Sequence, residues 1–395
     1  MRINVPAGFL FSAASAGIKV SGHPDLAYAE APGGATAAAL FTCNRLAAAP
    51  VQVGRDYLKH SSGRVYAVVV NSGNANCATG KAGRRTCEQV CKAVARQLKI
   101  SPESVFPSST GIIGVPLPAE KIVSALPDLL TARGDGEEAV RRFSTAIMTT
   151  DTRPKLASCT LETRGATASV LGIAKGAGMI APNMATMLVY VFTDIQGESR
   201  DLRNALQAAC DVSFNCISVD HDTSTNDTLL LLASGKSGVR LPAARAQFGE
   251  ALTFVCRSLA EQIVSDGEGV QHVAHLHIEG ARHHEEAMVV AKTIASSMLV
   301  KTALTGADPN WGRILAAIGR CSANVDPNRV NIYIGPQQVC RNGESRKFDE
   351  KAAHRYLSQP SYDIRIQLGR GKAGVEFLTT DLTAEYVRIN AEYST

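Results

Sequence analysis

Several stretches of this chain alternate apolar and polar residues with a period of two. Ile364, Ile366 and Leu368 fall on one side of a segment whose other side is Asp363, Arg365 and Gln367. Val330, Ile332 and Ile334 alternate with Asn331 and Tyr333 in the same way. This pattern predicts strands with one wet face. Ala67-Val-Val-Val70 and Leu229-Leu-Leu-Leu-Ala233 are apolar on both faces and belong in the middle of a layered structure. Strands are expected over about 65–71, 168–173, 187–193, 228–233, 273–278, 330–334, 363–368, 375–379 and 385–389. Apolar residues spaced by three and four predict helices over about 83–98, 117–131, 136–148, 200–213, 243–265, 283–298 and 311–319. The elements together predict an α/β or α+β fold, with sheets sandwiched between helical layers. No linker or internal repeat divides the chain.

Composition agrees. The chain has 395 residues, 45% hydrophobic and 19% charged, enough to bury a large core. Aromatics are scarce at 5% against 33 glycines, which suits a tightly packed α/β protein with many turns. The net charge of +5 is small for this length, and no basic run with interleaved aromatics points to nucleic acid. No apolar run approaches the roughly 18 residues of a membrane span. Pro6 and Gly8 interrupt the N-terminal apolar segment too early for a secretory signal. The ten cysteines are scattered without a Cys-x-x-Cys pair, and Cys87 and Cys91 continue a helical stripe with Val94 and Leu98. A reducing, cytoplasmic setting is expected.

Five stretches bear on chemistry. In Lys175-Gly-Ala-Gly-Met-Ile-Ala-Pro-Asn-Met-Ala-Thr-Met-Leu188 a glycine-rich approach ends at Thr186, where an apolar run begins. A hydroxyl held where a loop enters a buried strand becomes a nucleophile if its surroundings activate it. Ser108-Ser-Thr-Gly-Ile-Ile-Gly114 sets Thr110 and Gly111 in a tight turn, able to aim a hydroxyl and a backbone N–H at one developing oxyanion. Thr149-Thr-Asp-Thr152 reads by itself as a cap or turn. Glu268 lies between two glycines, either as a solvated acid or as a carboxylate presented to a cation. Asp220 to Asp227 has calcium-loop spacing at first, but Thr225 and Leu231 stand where such a loop needs Gly and Glu. Gly172 to Gly178 lacks the ending of a P-loop. His275 and His277 share the wet face of a strand, with His272 nearby, and no second ligand pair supports a metal site.

Taken in order, these stretches resemble the ornithine acetyltransferase family, also called glutamate N-acetyltransferase. The resemblance rests on Asn71-Ser-Gly-Asn-Ala-Asn76, Ser109 to Gly114, Met148 to Thr152, Lys175 to Leu188, Asp222-Thr-Ser-Thr-Asn-Asp227, Lys301-Thr-Ala303, Asp308-Pro-Asn-Trp-Gly-Arg313 and Asn390 to Thr395. It implies a layered αββα-type fold related to that of N-terminal-nucleophile aminopeptidases. It implies a precursor that cuts itself between Ala185 and Thr186 into an α chain (1–185) and a β chain (186–395), intertwined and assembled as an α2β2 heterotetramer. Thr186 matches the nucleophile, and Thr110 and Gly111 the oxyanion hole. Thr150, Lys175, Thr186, Glu268, Asn390 and Thr395 match substrate-binding positions. The implied reaction moves an acetyl group from N2-acetyl-L-ornithine to L-glutamate in arginine biosynthesis, without a metal or bound cofactor; acetyl-CoA is a second donor in bifunctional members. A peptidase of the related fold, passing the acyl group to water, is the alternative. His221 stands where the family pattern has Gly, so the loop backbone there changes if the position needs a positive φ.

A free α-amine has a pKa near 7.7–8.0 and a lysine one near 10.4, so at neutral to slightly basic pH roughly a fifth to a third of the amine but only about a thousandth of the lysine is unprotonated. The Thr186 amine released by the cut is therefore the expected base, leaving Lys175 cationic for a substrate carboxylate; deep burial of Lys175 would reverse this.

Overall fold

The computed structural model describes residues 3–163, 165–181 and 187–392. Among them the first sheet is built from β1 (Leu10–Ala14), β2 (Leu26–Phe41), β3 (Arg64–Asn74), β4 (Val105–Ile112), β5 (Lys155–Thr163), β6 (Ala166–Lys175), β7 (Leu188–Thr193) and β9 (Thr228–Ala233), in the order β4-β3-β2-β9-β7-β6-β5 with β1 beside β2. The second sheet holds β8 (Ile217–Ser218), β10 (Val273–Ala281), β11 (Asn331–Ile334), β12 (Gln337–Arg341), β13 (Glu344–Ser345), β14 (Ser361–Gln367) and β15 (Ala373–Thr380), in the order β13-β12-β11-β14-β10-β15-β8. The helices are α1 (Ala49–His60), α2 (Gly80–Leu98), α3 (Ala119–Thr131), α4 (Glu137–Ala146), α5 (Ser199–Asp211), α6 (Arg245–Ser265), α7 (His284–Ala295), α8 (Met298–Thr305), α9 (Trp311–Gly319), α10 (Glu350–Leu357) and α11 (Ala384–Glu392). This is the mixed α/β class that the pattern predicts.

Of the two doubly apolar stretches, Leu229–Ala233 lies in the central strand β9, and Ala67–Val70 is buried in β3, one strand in from β4. Every residue of β7 and β9 is buried. Their alternate side chains feed two cores. Val189, Val191, Leu229 and Leu231 pack with Leu202 and Leu206 of α5 and Leu252 and Leu259 of α6. Leu188, Tyr190, Phe192 and Leu230 pack on the opposite face with Val140 and Phe143 of α4. Helices thus cover this sheet on both sides. The second sheet buries Leu276, Ile278, Ile364 and Ile366 against α7 and α9. Its other face carries His275 and His277, which go to separate partners: His275 meets the Ser361 hydroxyl at 3.0 Å and His277 meets Asp363 at 2.7 Å. No single helix among the described residues is long and apolar enough to cross a membrane.

One predicted element is wrong in kind. Glu385-Tyr-Val-Arg-Ile389 alternates as a strand does, yet it lies in α11. The Thr383 hydroxyl accepts the Tyr386 N–H at 3.1 Å and so caps the first turn. Arg388 then pairs with Glu385 and Glu392 at helical spacing. The helix-period pairs override the alternation. In the Asp308 to Arg313 stretch the Asn310 side chain caps α9, and Arg313 donates to the Leu299 carbonyl at 2.8 Å.

Candidate active site

One edge of the first sheet gathers strand ends from distant parts of the chain. Lys175 ends β6 and pairs with Leu188 of β7, which in turn pairs with Thr228 of β9. Thr110 and Gly111 lie near the end of β4. A cleft at this edge is lined by Thr110, Gly111, Thr149, Thr150, Lys175, Gly178, Asn226, Glu268 and Asn390, among others. Six predicted site residues (Thr110, Gly111, Thr150, Lys175, Glu268 and Asn390) therefore share one cleft. Thr186 and Thr395, with Ala185 at the expected cut, lie outside the described residues. Next to that junction, the Met187 N–H donates to Asp227 Oδ1 at 2.8 Å, which fixes where the chain enters β7.

Close backbone approach shapes the Thr110–Gly111 turn. Gly111 has φ +129°, and a Cβ there would stand 2.3 Å from the Gly73 carbonyl carbon. Glycine at 111 lets β3 and β4 meet at this point. Asn71 accepts from the Ser109 hydroxyl at 2.6 Å, and Asn226 Nδ2 donates to Ala75 O at 2.7 Å and Ser109 O at 2.8 Å. These bonds strap the strand ends together beneath Thr110. Lys175 Nζ donates to Thr110 Oγ1 at 3.3 Å and to Thr149 Oγ1 at 2.7 Å. Because Thr110 accepts from an ammonium, its own O–H is available to donate elsewhere.

Lys175 is almost fully buried. Burial lowers its pKa below the ordinary lysine value, and Lys155 adds to the fall, while Asp151, Glu268 and Asp227 oppose it. Deep burial thus meets the condition under which the sequence reading makes Lys175 the base; Asp151, 3.9 Å away, works against that reversal by favouring the ammonium. Its carboxylate also accepts Gly176 N at 2.6 Å, Thr149 N at 3.0 Å and Lys155 Nζ at 2.6 Å. Burial pushes Asp151 up, but the Lys175 and Lys155 charges outweigh it and hold the pKa at about 2. Lys155 reaches onward to Asp266 at 2.5 Å, and Asp266 accepts both the N–H and the hydroxyl of Thr152. The Thr149–Thr152 turn is thus part of a buried ion network that anchors Lys175.

The opposite wall is carboxylate and amide. Asn390 Nδ2 donates to Glu268 Oε2 at 2.8 Å. A Cβ on Gly178 would stand 2.5 Å from that same oxygen, so glycine there makes room for Glu268. His221 adopts φ +71°, keeping the left-handed backbone without glycine. The sequence reading missed Lys155 and Asp266 as anchors and Thr149 as the partner of Lys175. A carboxylate four residues before a lysine was the one available signal, and it is too common to single out.

The profile of the ArgJ family matches residues 10–395. The arginine biosynthesis bifunctional protein ArgJ of Dehalococcoides mccartyi (strain CBDB1) is 43% identical over 401 aligned positions, covering 100% of this chain and 97% of the relative. The protein of the same name from Methylococcus capsulatus is 44% identical, again over 100% of this chain and 97% of its own. Among solved structures, a chain of the arginine biosynthesis bifunctional protein ArgJ from Bacillus halodurans is similar at 41% identity and a TM-score of 0.50, covering 52% of this chain and 98% of its own length. The chain belongs to the ArgJ family.

Proposed function

We propose that this chain is a glutamate N-acetyltransferase that cuts itself between Ala185 and Thr186 and then works through an acetyl-Thr186 ester. It is an acetyltransferase of arginine biosynthesis. The observation that carries the reading is one cleft holding Thr110, Gly111, Lys175, Glu268 and Asn390 at the mouth of β7, whose entry Asp227 fixes.

Thr186 Oγ attacks the acetamide carbon of N2-acetyl-L-ornithine, giving up its proton to the Thr186 α-amine. The Thr110 hydroxyl and the Gly111 N–H receive the oxyanion. The C–N bond breaks, ornithine leaves with that proton, and the acetyl group stays as an ester. The amine of L-glutamate then attacks the ester, and Thr186 Oγ leaves as a hydroxyl. The Lys175 ammonium, already bonded to Thr110, adds positive potential where the oxyanion forms. Glu268 and Asn390 supply a carboxylate and an amide for the polar groups of the amino-acid substrate, with Thr150 and Thr395 completing that binding.

Two features support the cut. β7 lies between β6 and β9, so segments 1–185 and 186–395 would remain intertwined within one sheet after cleavage. The solved Bacillus halodurans chain covers 52% of this chain, close to the 210 of 395 residues that follow Ala185. The same proposal includes an α2β2 heterotetramer, a cytoplasmic setting, no metal or bound cofactor, and acetyl-CoA as a second donor in line with the relatives' bifunctional name.

Incubation with acetyl-labelled N2-acetylornithine and glutamate is expected to yield labelled acetylglutamate and ornithine in equal amounts. Labelled acetate without acetylglutamate would replace this reading with the hydrolytic one. For the second donor the expected result is one CoA released per site from acetyl-CoA alone, and continued release only when glutamate is present.

A further inference from the structure

α11 carries Asn390 to the cleft, yet no side chain described on this helix is buried. Val387 is 59% exposed. Hydrophobic burial therefore does little to hold it, and its position depends on polar ties. The Thr383 hydroxyl donates to Gly269 O at 2.7 Å and accepts the Tyr386 N–H, tying the start of the helix down. The Tyr386 hydroxyl donates to Asp220 Oδ2 at 3.3 Å. That same oxygen accepts the N–H of Met179 at 2.6 Å, while Oδ1 accepts the Asp222 N–H at 3.2 Å. Met179 has φ +53° and lines the cleft beside Gly178. One turn beyond Tyr386, Asn390 Nδ2 donates to the Tyr386 carbonyl at 3.0 Å and to Glu268. A continuous hydrogen-bonded path thus runs Met179–Asp220–Tyr386–Asn390–Glu268, tying α11 to the side of the cleft where Gly178 meets Glu268.

We propose that Asp220 and Tyr386 are positioning residues: their bond seats α11 on the cleft and so fixes Asn390 and Glu268 for the amino-acid substrate. This rests on the acetyltransferase reading for its kinetic consequence, but not for its structural one. Neither Asp220 nor Tyr386 lines the cleft that holds Thr110 and Gly111, and the joint reaches it through Asn390 and Glu268, so it acts on substrate binding rather than on acyl transfer. An interaction made equally in the ground and transition states changes KM and leaves kcat alone.

The joint also responds to pH. Burial raises the Asp220 carboxyl to about 6; the N–H bonds from Asp222 and Met179 oppose the rise, and the Asp222 and Glu268 charges add to it. The charged and titratable groups facing it are Asp222 on its own loop, Glu268 after α6, Lys301 on α8 and Tyr386 on α11. A neutral acid accepts weaker hydrogen bonds than a carboxylate. The seat is therefore firm above this value and loosens as pH falls through it.

Tyr386→Phe removes one hydroxyl and leaves the ring. It is expected to raise KM for acetylornithine about 5- to 10-fold, the worth of one such hydrogen bond, with kcat within about twofold. Hydrogen exchange of the 384–392 amides should quicken in the same variant. Asp220→Asn is the second variant: wild-type KM is expected to rise on acidification from about pH 7.5 to 5, and the Asn variant to show a raised, flatter KM across that range. Unchanged KM and exchange in Tyr386→Phe, a fall in kcat alone, or parallel pH profiles for wild type and Asp220→Asn would overturn the proposal. The exchange measurement needs no turnover. A wild-type protein that fails to transfer acetyl would therefore count against the proposed reaction while the seat is still tested.

Discussion

Thr186→Ala is expected to yield one uncut chain of 395 residues with acetyl transfer reduced on the order of 10⁴-fold or more. Two steps fail together. In the self-cut, Thr186 Oγ attacks the Ala185 carbonyl, the acyl group shifts from nitrogen to oxygen, and water opens the ester to give the new carboxylate and the free hydroxyl. Alanine has no oxygen to accept that acyl group. In the transfer reaction the same oxygen carries acetyl, and the amine that serves as its base is never released from its peptide bond. The loss is chemical rather than a failure to fold, because the Asp227 bond to the Met187 N–H is a backbone contact that does not depend on the side chain at 186. Far-ultraviolet circular dichroism should match wild type, and a denaturing gel should show one band. A cut and active Thr186→Ala protein would remove Thr186 from both steps.

Asp151→Ala should give the largest loss of stability of any single change at the site. Asp151 is buried and stands between Lys155 at 2.6 Å and Lys175 at 3.9 Å. Without it Lys155 keeps only the Asp266 carboxylate, Lys175 loses the carboxylate 3.9 Å away, and the Gly176 and Thr149 N–H groups lose their acceptor. Breaking a buried ion pair from one side destabilises by about 3–5 kcal/mol, and urea unfolding reads this directly. The acid limb provides a second check. The folded Asp151 pKa, about 2, lies below its ordinary 3.8, so in this window the unfolded chain binds more protons than the folded one. The Asp151 contribution is thus fully present above about pH 4 and is lost as pH falls toward 2. Asp151→Ala should lack that part of the acid-induced loss. A variant with wild-type urea midpoint and acid limb would contradict the role given to the network.

The residues that converge on the cleft were legible in the sequence mainly as a set of motifs. Glu268 by itself reads as well as a solvated acid, and it is the fold that sets it beside Gly178 and Asn390 in the cleft. The central strands were legible because β7 and β9 carry apolar residues on both faces. β2 was not, since Ala27 to Ala39 is rich in alanine and broken by Pro32-Gly33-Gly34; it is a strand because its neighbours β3 and β9 pair with it. α1 was hidden by Pro50 and Gly54, which weaken a helical pattern without preventing one at these positions. Lys155–Asp266 and Asp220–Tyr386 span 111 and 166 residues of sequence, and nothing local marks either partner. Their pairing is a product of the fold.

The central claim is that Thr186 becomes a chain terminus and carries acetyl. Intact mass under denaturing conditions, before and after incubation with N2-acetyl-L-ornithine, tests it most directly. The expected result is two fragments, 1–185 and 186–395, with a gain of about 42 Da (one acetyl group) on the second alone, removed again by glutamate. A single uncut chain, or the added mass on the fragment 1–185, would contradict it.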